Sequence, residues 1–410
     1  MFVLIFLAGV LLGHAYLWWR LVRQTTGQGR LRRAMTLVLV LMLAALMATF
    51  LGARLGLESW VAWPGYLWIA VMFYLVVILV VLEIPRAVVA AFLRRERARE
   101  PVAVPALSAP ASYPVVEPAP ASVEAADRGE PASPDRRLLL ARTVAVVAGV
   151  GAAGTVGYGV TTALGDPVVE RVGVTLPKLD QRLSGLRFAV VSDIHLGPLT
   201  GIGHTERIVR MINGLEPDVV AIVGDLVDGS VARLGPLAQP LKHLESRYGA
   251  FFVTGNHEYF DPAGPGEWIE ELGELGVRSL RNERVEIRHQ GAVLDLAGVN
   301  DVGGASAGEP PDFAKALGGR DTSRSSVLLA HQPIQVTEAA RHGVDLQLSG
   351  HTHGGQIAPF NLVVGLQQPV VSGLARFGDT QVYVTRGAGF WGPPVRVGAP
   401  PEITLVELRS

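Results

Sequence analysis

Residues 219–228 read Val-Val-Ala-Ile-Val-Gly-Asp-Leu-Val-Asp, and residues 187–195 read Arg-Phe-Ala-Val-Val-Ser-Asp-Ile-His. Each is a short apolar run, rich in β-branched residues, that breaks at a small residue and at once delivers a carboxylate. Near-continuous runs of this kind suit strands covered on both faces. The unit recurs downstream. Residues 250–254 (AFFVT) lead into Gly255-Asn256-His257-Glu258, and 326–330 (SVLLA) into His331-Gln332-Pro333. Residues 346–349 (LQLS) lead into Gly350-His351-Thr352-His353-Gly354-Gly355-Gln356. Amphipathic stretches at 205–215, 232–247 and 267–275 predict intervening helices, and further strands are expected at 293–299, 382–385 and 402–408. Such alternation predicts a layered α/β fold, whose sites lie just beyond the carboxyl ends of the strands.

The polar residues fall at those ends. Five of the ten histidines sit there, beside two aspartates and an asparagine. Carboxylate, amide and imidazole are hard-oxygen and borderline-nitrogen donors, suited to Mn, Fe, Zn or a similar divalent ion. The chain has no cysteine. Disulfides, thiolate zinc sites, iron–sulfur clusters and cysteine nucleophiles are therefore excluded. His14, His204, His243, His289 and His342 lie outside the pattern. Asp228 has a plain alternative role, capping the segment that follows it.

Taken in order, D-x-H (193–195), G-D-x-x-D (224–228), G-N-H-E (255–258), His331 and G-H-x-H (350–353) resemble the calcineurin-like metallophosphoesterase family. The resemblance runs over about 186–356, and the tail, with Tyr383-Val384-Thr385-Arg386-Gly387 and Pro401-Glu402-Ile403-Thr404-Leu405, is similar to the family's membrane-anchored branch. It implies a β-sandwich flanked by helices and two divalent metal ions. One ion would take Asp193, His195, Asp225 and His353. The other would take Asp225, Asn256, His331 and His351, with Asp225 shared. His257 would remain unligated as the catalytic residue, stabilising or protonating the leaving oxygen. Arg386 is open between a phosphate contact and a structural ion pair.

Ahead of this domain (170–410) the chain reads as membrane. Uncharged apolar runs cover 1–19, 34–53 and 59–82, each close to the roughly 20 residues that cross a bilayer core. Trp18, Trp19, Trp60, Trp63 and Trp68 stand near their ends, where indoles favour the interface. A Gly- and Ala-rich run at 143–165 is the fourth. The first three spans fill 1–99. Residues 100–135 are Pro- and Ala-rich and form a linker unable to build a core. Residues 136–165, opening on Arg136-Arg137, read as an ordinary span or as an internal twin-arginine-like signal. Arginines crowd the loop between the first two runs and the segment between the third and fourth, whereas Arg54 stands alone between the second and third. By the positive-inside rule the C-terminal domain is then extracytoplasmic.

Residues 1–100 hold 11 arginines and 4 glutamates, so the rest of the chain is acidic and is not expected to bind nucleic acid. The reading is a membrane-anchored, metal-dependent phosphoesterase. It would hydrolyse a phosphomonoester or phosphodiester by metal-bound hydroxide, on a phosphate ester that the nearby membrane suggests is lipid-linked. Two other classes compete: a catalytically silent, metal-bound scaffold module at the membrane, and a receptor whose spans do the work. The His257 beside Asn256 speaks against the first. The nearly charge-free spans speak against the second.

Overall fold

The computed structural model describes residues 2–55, 59–97, 134–261 and 264–410. Most of the linker predicted at 100–135, and Arg99 just before it, lie outside the described residues. The chain divides into two compact units, Met1–Leu43 with Val71–Gly154, and Ala44–Ala70 with Thr155–Ser410.

Four long helices come first: α1 (Phe2–Leu17, prolonged by a π-helical turn to Arg23), α2 (Arg30–Leu55), α3 (Ser59–Arg97) and α4 (Pro134–Leu164). Among the described residues, the stretches long and apolar enough to span a membrane are Leu4–Arg23, Arg30–Gly52, Ala62–Pro85 and Leu138–Leu164. Within the first unit, Arg20 pairs with Glu83 at 2.6 Å. An ion pair of this kind spares each apolar helix an uncompensated charge.

The rest is strand and short helix: β1 (Val168–Thr175), β2 (Arg187–Val191), α5 (Ile202–Asn213), β3 (Val219–Val223), α6 (Val231–Ala238), β4 (Ala250–Val253), α7 (Gly266–Glu274) and β5 (Val277–Ser279). Then follow β6 (Glu283–His289), β7 (Ala292–Gly298), α8 (Phe313–Leu317), β8 (Ser326–Leu329), α9 (Val336–Arg341), β9 (Leu346–Ser349), α10 (Asn361–Val364), β10 (Gly373–Phe377), β11 (Thr380–Val384) and β12 (Glu402–Arg409). They form two six-stranded sheets, ordered β1-β12-β2-β3-β4-β5 and β10-β11-β9-β8-β7-β6. The central strands β2, β3 and β4 pair in parallel, as do β7, β8, β9 and β11. β12 returns antiparallel to β2.

The near-continuous apolar runs have a simple cause. Phe188, Val190, Val219 and Ala221 point into a core shared with Leu294, Leu296, Val327 and Leu348 of the second sheet. Their neighbours Ala189, Val191, Val220 and Ile222 point the other way, onto Ile208, Val209, Ile212, Leu234 and Trp268 of α5–α7. Ala297 and Leu328 likewise meet Phe313, Leu317 and Ala339 of α8 and α9. Helix, sheet, sheet, helix is the resulting layering, a β-sandwich flanked by helices.

One expected helix is broken. Residues 232–247 form α6 and then a 3₁₀ turn, Gln239–His243. Pro240 has no N–H to continue the ladder, and Pro236 already weakens it.

Candidate metal centre

Each candidate residue stands on a loop that leaves a strand sharply. Asp193, His195, Asp225, His351 and His353 all have positive φ, between 49° and 71°. Non-glycine residues in the left-handed region cost about 1 kcal/mol or more each, and persist only where surrounding structure holds them. The hold is visible here. A Cβ on Gly255 would lie 2.2 Å from Asp225 Oδ1, and one on Gly350 would lie 1.9 Å from Ser192 Oγ. Only glycine lets these loops close over the aspartates.

The donor atoms converge. His195 Nε2 lies 3.1 Å from His353 Nε2, and His353 Nε2 lies 3.4 Å from Asp193 Oδ1. His331 Nε2 lies 3.2 Å from both His351 Nδ1 and Asp225 Oδ2. His195 Nε2 is 3.9 Å from Asp225 Oδ2, and so is His257 Nε2. Among the described residues, three sets have all their donors within 4.8 Å: Asp193, His195 and His353; His195, Asp225 and His257; Asp225, His331 and His351. Adjacent ligands of an octahedral ion with bonds of about 2.1 Å are about 3 Å apart, and the shortest donor separations here are 3.1–3.4 Å. Asn256 Oδ1 is buried with no hydrogen-bond partner. An unpaired buried amide oxygen costs about 1–3 kcal/mol. A cation beside Asp225 would satisfy it, since the Asp225 carboxylate already accepts the next backbone N–H, His257 N, at 2.9 Å. The residues present thus fit divalent metal, and the structure brings together all eight residues singled out above.

Outer groups orient the inner ones. His331 Nδ1 donates to Val223 O at 2.8 Å, which leaves Nε2 free to ligate. Asp228 Oδ1 lies 2.9 Å from His195 Nδ1 and 2.7 Å from His257 Nδ1. This is more than helix capping: one carboxylate fixes the ring of a candidate ligand and of the candidate catalytic residue. Glu258 accepts backbone N–H bonds from Asp225 (3.0 Å), Leu226 (2.8 Å) and Gly255 (2.6 Å). Arg396, fully buried, donates to His353 O at 2.7 Å and to Gly389 O at 3.0 Å. Glu258 stood inside the G-N-H-E block, but nothing in its position marked it as a loop anchor. Arg396 carried no sequence signal at all. Arg386 is a structural ion-pair residue, 2.7 Å from Glu170 and 2.7 Å from Glu402, and no free phosphate contact. Outside the centre, His289 meets Tyr248 and His342 stacks on Phe313.

The electrostatics match this order. Burial alone would raise Asp225, but the charges of His331 and His257 outweigh it and hold the carboxyl well below its usual range. Burial raises Asp193. It likewise pushes Glu258 up to about 7, helped by the charge of Asp225. His351 is pushed down to about 3 by burial and by His331, so it stays neutral and able to ligate. His331 and His257 are the exceptions. Burial would lower both, yet the charge of Asp225 and a hydrogen bond to it lift His331 well above its usual value, and Asp225 with the hydrogen bond to Asp228 lifts His257 to about 9. His257 therefore holds a proton at neutral pH.

Asp228→Asn should lower turnover about 10- to 100-fold, the usual effect of losing a partner of a metal ligand. It also removes an anion that raises His257. The alkaline limb of the pH–rate profile, where His257 loses its proton, should therefore move to lower pH. A profile that keeps its alkaline limb would show that Asp228 does not act through His257.

The sequence model of the calcineurin-like phosphoesterase family matches residues 186–355. The chain is 40% identical over 262 residues to a transmembrane protein with metallophosphoesterase domain from Danio rerio, covering 62% of this chain and 60% of that protein. It is 34% identical over 246 residues to an uncharacterized metallophosphoesterase from Aquifex aeolicus, covering 59% of this chain and 92% of that one. It spans about 60% of the length of the first curated relatives it matches. Among solved structures, a dimetal phosphatase from Danio rerio aligns over 55% of this chain and 94% of its own, with TM-score 0.37 and 11% identity.

Proposed function

The chain belongs to the calcineurin-like metallophosphoesterase family, and on that premise we propose that it is a membrane-anchored phosphoric ester hydrolase with a dinuclear metal centre. The observation that supports this most is the convergence of imidazole and carboxylate donors on groups that share Asp225 or His195, with Asn256 Oδ1 buried and partnerless on the next loop. Asp193, His195, Asp225 and His353 would hold one ion, and Asp225, Asn256, His331 and His351 the other. A bound pair of this kind activates water and offsets the charge of a phosphoryl group.

The chain's own residues do the rest. Asp225, held ionised, would be the shared anionic ligand. His257 donates Nδ1–H to Asp228 and turns Nε2 toward Asp225 Oδ2, 3.9 Å away, at the open side of the cluster. When the ring is protonated, its Nε2–H is placed to neutralise the oxygen that departs from phosphorus. Asp228 holds that ring in place.

The substrate in this reading is a phosphomonoester or phosphodiester, and the spans favour one that is lipid-linked. Purified full-length chain should contain two divalent ions and hydrolyse an aryl phosphate monoester or diester, with activity lost to a chelator and restored by metal. A metal-loaded protein inert towards both ester types would remove the enzymatic reading.

The arginine distribution supports a C-terminal domain outside the cytoplasm. A reporter enzyme that works only outside the cytoplasm, fused after Ser410, should be active. Activity from a cytoplasm-only reporter at that junction would reverse the topology.

A further inference from the structure

Residues 354–375 contain no Asp, Glu, Lys, Arg or His. Yet much of the stretch is open to solvent. Phe360 is 45% exposed, Leu362 71%, Val363 52% and Leu366 87%. No residue of α10 is buried. This run begins directly after the candidate ligand His353. Across the mouth of the centre stand two more exposed aromatics, Phe260 and Trp391. Their ring centroids are 4.4 and 5.8 Å from that of His257. A solvated loop ordinarily carries charge, and a contiguous apolar rim marks a surface meant to be covered.

The chain also shows what lies beside it. Arg396 N donates to Gly159 O at 2.9 Å, and Gly159 belongs to the apolar stretch Leu138–Leu164, five residues from its end. Val397 O in turn accepts Ala358 N at 2.9 Å, two residues before Phe360. Trp391 is tied to Gln356 by two hydrogen bonds, of 2.9 and 3.0 Å. All of these residues lie in the second compact unit. The exposed apolar run is thus one backbone pairing away from the residue that meets the end of a span.

We propose that residues 360–366, together with Phe260 and Trp391, form a second membrane contact, seated in the lipid leaflet at which α4 emerges. The inference rests on the reading of α4 as a membrane span. Large aliphatic side chains with an indole at their edge are the composition of an interfacial anchor, which buries its apolar face about 5–10 Å into the headgroup boundary. The occupant is lipid. The rim adjoins a span and offers no charge that would fix a protein partner in register. The mouth of the metal centre then faces the headgroup layer. This deepens the proposed function: the substrate class is an amphiphile whose phosphate ester lies at the membrane surface.

The absence of cysteine makes the test direct. Single substitutions Leu362→Cys and Leu366→Cys, and Glu274→Cys on α7 as an aqueous reference, carry a nitroxide in the full-length chain reconstituted into phosphatidylcholine vesicles. Power saturation with oxygen and with a water-soluble nickel chelate reads immersion. Labels at 362 and 366 should be more accessible to oxygen than to nickel, at a depth of about 5–10 Å, and the label at 274 should show the reverse. Nickel accessibility at 362 and 366 would overturn the proposal. So would shielding from both reagents, which indicates a protein partner. Spin–spin broadening that disappears on dilution with unlabelled chain would identify a second copy instead. Both positions are exposed, so unchanged metal content of each variant confirms its fold, and either position alone decides. The readout involves no turnover, so an inactive but immersed protein would sink the hydrolase reading and leave this one standing.

Discussion

Asp225→Ala should abolish turnover and empty both metal positions. The carboxylate lies 3.2 Å from His331 Nε2 and 3.9 Å from His195 Nε2, so it stands between the two histidine groups. Removing it leaves two cations with nothing between them to offset their repulsion. Loss of about 4 kcal/mol of metal-derived stabilisation corresponds to a rate loss of about 10³-fold. Asp225→Asn keeps the shape and a neutral oxygen, and should lose nearly as much. His353→Ala, by contrast, should deplete mainly one ion, because the candidate ligands that the His353 ring meets are Asp193 and His195. Metal content per chain separates the cases. An Asp225 variant with two ions and normal turnover would disprove a shared ligand.

His257→Ala should do the opposite, sparing the metals and damaging the chemistry. His257 is orientated by Asp228, a residue outside both ligand sets, and its Nε2 stands 3.9 Å from the nearest carboxylate oxygen. As proton donor or charge stabiliser it should contribute about 10²–10⁴-fold. Metal content should stay at two per chain. The loss should be smaller for esters with good leaving groups, which need less protonation as they depart. In the parent enzyme the rate should fall as pH rises through the value of His257, lifted to about 9 in the chain alone, and this fall should be missing from the variant. Stoichiometric loss of metal would make His257 a ligand instead.

What the sequence revealed and what it hid have the same physical origin. The strands recognisable in advance, such as β2, β3, β4, β8 and β9, are covered on both faces and read as unbroken apolar runs. β1, β5, β6 and β10 were not foreseen, and they are the four edges of the two sheets. An edge strand carries charge to discourage pairing with other chains. Glu170 and Arg171 on β1, Glu283, Arg284, Glu286 and Arg288 on β6, and Arg376 on β10 do so here, at the cost of any apolar signature. The site divides similarly. Aspartate and histidine directly after a strand announce ligation by residue type and place. Asp228, Glu258 and Arg396 bond candidate ligands or their backbone, and nothing local distinguishes such residues from caps or salt-bridge formers.

The left-handed turns at the centre bear on how it should be dissected. Asparagine, aspartate and histidine are the non-glycine residues that tolerate positive φ best, and they are also the donors a hard or borderline cation accepts. Loop shape and ligand identity thus favour the same amino acids at Asp193, His195, Asp225, His351 and His353. An alanine scan across these positions will conflate two losses, the donor atom and the conformational preference. Comparing Asp225→Asn with Asp225→Ala in metal-free protein isolates what the side chain does before metal binds, because both lack the charge but only alanine resists a φ of 50° and leaves His257 N–H without its acceptor. The alanine protein should melt lower even before metal is added. The size of that gap would measure how far the empty loops are already set in the shape that binding requires.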